Sequence, residues 1–253
     1  MRVIASYGAR LLDWLETYTF PEEARSADPA HAARIAAAFF DTLLAHGTTT
    51  PVAYCSSHRP SAEAFFEAAA ARGVRAIGGQ TMMDRNCPNG VRDTARSAHD
   101  DTARLIARWH GRGRAHVAIT PRFAITSAQA LLEAAGALAA AHPGVYVQTH
   151  LAETPEEIAR TAELFPEATD YTDVYDRAGL LGPRTLLGHC LHLSDRERAR
   201  MAETGSVAVF CPTSNLFLGS GLFDMATTEA AGIRVALATD IGGGTSPSML
   251  ATM

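Results

Sequence analysis

Short runs rich in Val and Ile alternate along this chain with longer Ala-rich stretches of helical periodicity, and few folds accommodate that alternation. The strand-like runs fall at 48–54, 74–78, 115–120, 145–149, 185–188, 207–210 and 233–238. Helical stretches lie at 29–46, 61–72, 94–110, 127–142, 155–164, 194–203 and 224–231. Thr154 before Pro155 and the Ser194-Asp195-Arg196-Glu197 box are helix-start signals. Strand then helix, repeated, predicts parallel βαβ units with strands buried on both faces.

Seven strands are read, and the chain opens with a loop and a helix that follow none of them. A closed barrel of this kind needs eight. The reading is therefore an α/β chain, a (β/α)8 TIM-type barrel lacking its first strand, which is expected before Met1. Residues 1–253 are expected to form one catalytic barrel domain. The alternative, an open doubly wound sheet for a dinucleotide, lacks a G-x-G-x-x-G turn after any strand.

Composition narrows the chemistry. All 22 basic residues are Arg, so a Schiff-base lysine, a Walker-A lysine and a carboxylated metal-bridging lysine are excluded. The net charge of -5 offers no basic stripe for nucleic acid. No apolar run reaches membrane length and Met1–Ser6 is not ordered like a signal peptide, so the expected compartment is the cytoplasm. Cys55, Cys87, Cys190 and Cys211 form no C-x-x-C pair and are expected to be buried thiols.

Catalytic groups of such barrels sit at the carboxyl ends of strands. Those positions carry Asp84-Arg85-Asn86, Arg122-Phe123, His150 with Glu153, His189, the run from Cys211 to Asn215, and Asp240. His150, His189 and Asp240 form a nitrogen and oxygen donor set that suits zinc. Glu153 is placed to shuttle a proton. It could instead serve only as a helix N-terminal acid, and Asp240 as a turn carboxylate. His31, His46, His99, His110, His116 and His142 read as ordinary surface or core residues, as do His58 and His192 despite lying near strand ends.

At these residues the chain resembles the guanine deaminases of the amidohydrolase superfamily. Gln148-Thr149-His150-Leu151-Ala152-Glu153, Leu187-Gly188-His189 and Ala238-Thr239-Asp240 resemble superfamily strand ends. Met83-Asp84-Arg85-Asn86, Thr120-Pro121-Arg122-Phe123 and the block from Cys211 to Gly221 resemble the guanine deaminases specifically, with support from 15–21 and 173–176. The resemblance runs from about Ile4 to Met253. It implies one Zn2+ per subunit held by His150 and Asp240. Glu153, His189 and Asp240 would be catalytic, with Glu153 moving a proton to the purine ring, Asp240 accepting one from water and His189 orienting that water. Arg122, Phe123, His150, Glu153 and Asp240 would contact guanine, Arg122 at its carbonyl oxygen. The implied reaction is hydrolysis of guanine to xanthine and ammonia by a homodimer.

No H-x-H pair occurs, although the family carries one at its first strand. Two or three protein ligands are expected to hold zinc weakly. Two rival readings follow: an aminohydrolase or chlorohydrolase acting on another ring, and a purine-binding protein without turnover.

Overall fold

The computed structural model describes residues 11–253. Seven parallel strands form one sheet in sequential order: β1 (Val52–Cys55), β2 (Ala76–Met82), β3 (Ala115–Pro121), β4 (Tyr146–Leu151), β5 (Thr185–His189), β6 (Val207–Phe210) and β7 (Arg234–Leu237). Every predicted strand is present, shifted by a few residues at most. The sheet curves as part of a (β/α)8-type barrel, and among the described residues β1 and β7 each pair with a single neighbour.

Helix α1 (Pro29–Ala45) precedes β1, and the crossovers are helices α2 (Arg59–Ala71), α3 (Ala95–Trp109), α4 (Gln129–Ala141), α5 (Pro155–Leu164), α6 (Tyr171–Arg177), α7 (Asp195–Thr204), α8 (Pro212–Phe217) and α9 (Met225–Ala230). Their starts follow from local chemistry. Thr94, Thr154 and Ser194 each close a capping box with the residue three positions on, and Asp28 accepts from the Ala30 N–H. Each such cap stabilises its helix by about 1 kcal/mol.

Aromatic side chains fill the layer outside the first strands. Phe40 and Phe65 meet at 5.0 Å, and Phe66 stacks on Trp109 at 5.5 Å. Burial of each such ring contributes roughly 2 kcal/mol. Strands β2 and β3 approach so closely that a Cβ on Gly79 would lie 1.8 Å from the Ala118 carbonyl oxygen. Only glycine fits there.

One expectation is revised. The segment before α1 is helical rather than a loop, running through Leu11–Trp14, a π-helical turn at Leu15–Thr19, and Phe20–Ala24. Its apolar residues Trp14, Leu15 and Phe20 pack on Met83, Val91, Phe123 and Ile125 at the carboxyl end of the sheet. Expected features at residues 1–10 lie outside the described residues. Helices α6, α8 and Met249–Thr252 were not anticipated, being too short for periodicity to reveal.

Candidate active site

A cavity of about 220 Å³ opens at the carboxyl ends of the strands, and Arg122, Phe123, His150, Glu153, His189 and Asp240 all line it. Six candidates from four strand ends thus meet in one place. The helical segment contributes Trp14, Leu15, Thr19, Glu22 and Glu23 to the same wall, and β1 contributes Tyr54. A second cavity of about 370 Å³ continues between β1 and β7 and shares Tyr54, His150, His189 and Asp240.

His150 lies in β4, and its Nδ1 donates to the Arg122 carbonyl oxygen at 2.8 Å. That bond fixes the tautomer and leaves Nε2 as a lone-pair donor. Burial, with the nearby charges of His189 and Arg122, pushes the His150 pKa down to about 3. The ring is therefore neutral near pH 7, the state a metal ligand requires. It stacks on the His189 ring at 5.3 Å and meets Tyr54 at 4.8 Å.

His189 closes β5 with a left-handed backbone, φ 71°, which turns its ring into the cavity. Its Nδ1 donates to Asn215 Oδ1 at 2.8 Å, and its Nε2 lies 3.3 Å from Glu153 Oε2. Burial opposes charge on the ring, yet Glu153 outweighs it, aided by Cys211 and Asp240, and the pKa stands well above the usual histidine range. Burial raises the Glu153 pKa, against the opposing pull of His189. Imidazole and carboxyl together hold a proton more firmly than either would in water.

Glu153 is 1 % exposed and is built in from both sides. Ser220 Oγ donates to its Oε1 at 2.8 Å, while its backbone N–H donates to Glu157 Oε2 at 2.7 Å. Glu157 is thus a strut as well as the partner of Thr154 in the capping box. Its other oxygen accepts from Tyr171 at 2.6 Å. Tyr175 donates to the His150 carbonyl oxygen at 2.8 Å and accepts from the Ala124 N–H at 3.0 Å. One hydroxyl therefore ties the end of β4 to the turn carrying Arg122 and Phe123.

Asn215 and Ser220 lie inside the Cys211–Gly221 block, so sequence marked them without giving them a role. Tyr175 was marked in the same way, inside 173–176, whereas Glu23 and Tyr54 carried no such signal. The thiols are buried and free, as expected, with Cys55 pushed up to about 12 by burial. His31 is buried and lies in the α1 helix, away from the six candidates.

The donors match a divalent ion in kind. His150 offers a free imidazole nitrogen and Asp240 a carboxylate, whereas His189 Nε2 is engaged by Glu153. They fall short in number, because the described residues contain no group of three or more His, Cys, Asp or Glu side chains able to hold a metal.

A buried acid–imidazole pair in a cavity at the carboxyl edge of a barrel-type parallel sheet, with Arg122 and Phe123 in the same wall, is the kind of centre that hydrolases build. The chain belongs to the amidohydrolase family, whose model matches residues 1–253. It is 43 % identical over 251 residues to the guanine deaminase of Escherichia coli, covering 99 % of this chain and 57 % of that protein. A guanine deaminase structure from Bradyrhizobium japonicum superposes with a TM-score of 0.97 at 42 % identity, over 99 % of this chain and 55 % of the other. One from C. acetobutylicum, with bound guanine in its active site, gives 0.94 at 30 % identity, over 99 % and 60 %. The chain thus spans little more than half the length of these relatives.

Proposed function

We propose that residues 1–253 form one catalytic domain that hydrolyses guanine to xanthine and ammonia. The observation that carries this reading is the Glu153–His189 pair, buried in the same cavity as Arg122 and Phe123. Similarity to guanine deaminases over 99 % of the chain supports it. Phe123 would contact the purine and Arg122 would donate to its carbonyl oxygen. Glu153 would carry a proton from the attacking water to a ring nitrogen, with Ser220 and the Glu157 strut holding its carboxyl in place. His189, anchored by Asn215, would orient the water, and Asp240 would accept its second proton. Water adds to the carbon bearing the amino group, the proton taken by Asp240 passes to that amino group, the C–N bond breaks as the new carbonyl forms, and ammonia leaves while the ring nitrogen keeps the proton brought by Glu153.

His150 and Asp240 would hold one zinc ion, which when bound supplies a water acidified to near neutral pH. We further propose a homodimer acting in the cytoplasm. Among the described residues no helix is long and apolar enough to cross a membrane.

The test is xanthine and ammonia release by the full chain with zinc, beside Glu153→Gln. The variant should lose about 10³-fold in turnover while still binding guanine, since only the proton carrier is removed. Equal turnover by the variant would sink the proposed mechanism. Guanine bound by the unaltered chain without xanthine release would favour the binding-protein reading, which the small metal-donor set motivates. Faster turnover of a triazine or adenosine would favour the other-ring reading.

A further inference from the structure

Arg122 does not stand alone at the cavity wall. Its Nη1 donates to both carboxylate oxygens of Glu23, at 2.8 and 2.9 Å, across 99 residues of sequence. The guanidinium also lies over the Phe20 ring, 5.4 Å from its centre. Both partners come from the helical segment before α1. Glu23 is itself moored to the sheet, because its carbonyl oxygen accepts from Ser56 just beyond β1 at 2.9 Å. The Arg122 side chain is only 12 % exposed, so this arrangement is built rather than incidental.

A guanidinium is a planar fork of five N–H groups. Glu23 occupies one nitrogen with both its oxygens, and Phe20 covers a face. No described residue takes a hydrogen bond from Nε or Nη2. A free fork with a fixed plane reads a carbonyl oxygen well, and a freely turning one reads it poorly, because ordering it at binding costs affinity.

We infer that Glu23 is a positioning residue for substrate selection: it holds Arg122 in the plane that distinguishes a 6-oxo purine from one lacking that oxygen. The inference rests on the guanine reading above. It goes beyond that reading by placing discrimination on a carboxylate that never touches the reacting carbon.

2-Aminopurine, guanine without the 6-oxo group, is the probe, and its own fluorescence reports binding. Guanine is measured by displacement in the same titration, for the full chain, Glu23→Gln, Arg122→Met and the double variant. Glu23→Gln is nearly isosteric, and a thermal melt confirms that it folds. The preference for guanine over 2-aminopurine should fall about tenfold in Glu23→Gln, the scale of one charge-assisted hydrogen bond. 2-Aminopurine itself should bind within about twofold of the unaltered chain, because it makes no use of the lost bond. In the Arg122→Met background the Glu23 effect should vanish. An unchanged preference, or an equal loss for both bases, overturns the inference and leaves the guanine reading standing. No preference for guanine in the unaltered chain overturns the guanine reading first, and the inference with it.

Discussion

Asn215 Oδ1 accepts from His189 Nδ1 at 2.8 Å, so the imidazole that faces Glu153 is held from behind by a side chain 26 residues away. Both ring nitrogens meet acceptors, and the protonated ring is satisfied on both sides. Asn215→Ala should remove the rear support and lower turnover about 10- to 100-fold with little change in guanine binding. Steady-state xanthine formation checks this, and an effect confined to KM would contradict the orienting role.

Tyr175 makes a different prediction. Phenylalanine there removes one hydroxyl and leaves the buried Ala124 N–H without an acceptor. Tyr175→Phe should cost about 2 kcal/mol in chemical denaturation and weaken purine binding, since the Arg122–Phe123 turn loses one of its ties to β4. A variant as stable and as tight-binding as the parent would show that the tie is dispensable.

Asp93 gives a pH dependence. Burial, then the nearby charge of Asp101, raises its pKa to about 7, against the weaker opposing pull of Gln80 and Ser97. The folded state therefore binds this proton more tightly than the unfolded chain. Its contribution is complete below the ordinary carboxylate pKa and is lost as pH rises through about 7. Unfolding free energies at pH 5 and pH 8 should differ by roughly 2 kcal/mol from this group, after allowing for solvent screening. Asp93→Asn should flatten that slope, and an unaltered slope would remove Asp93 as its source.

Gly136 in α4 tests the packing. A Cβ there would sit 1.8 Å from the Ala178 carbonyl oxygen at the end of α6. Gly136→Ala should destabilise the chain by about 2 kcal/mol despite its better helix propensity. A melting temperature equal to or above the parent's would show that the helices can separate freely.

The strands were legible because each is a short apolar run set between helical stretches, with β2 to β4 largely buried and β1 and β7 partly exposed, and the candidate groups were legible because chemistry collects where such runs stop. His150, His189 and Asp240 needed only that rule to be placed in one cavity. Glu23 was hidden. Its role depends on a partner 99 residues away, and local sequence carries no record of such a meeting. The helical segment holding it was hidden too, since a π-turn at Leu15–Thr19 breaks the regular period by which helices are recognised. Asn215 and Ser220 fell between these cases: the block around them was conspicuous, but only folding shows which ring and which carboxyl they support.

Ala152, His189, Cys190 and Asp240 all carry the left-handed backbone that L-residues avoid. At Ala152 and Cys190 a glycine would adopt that angle without strain, but it would also remove a side chain buried in the core. At His189 and Asp240 the same change would delete the group the angle exists to aim. The same left-handed turn thus packs a side chain into the core at two positions and aims one into the cavity at two others, and backbone geometry tells these cases apart only when the side chains are read beside it.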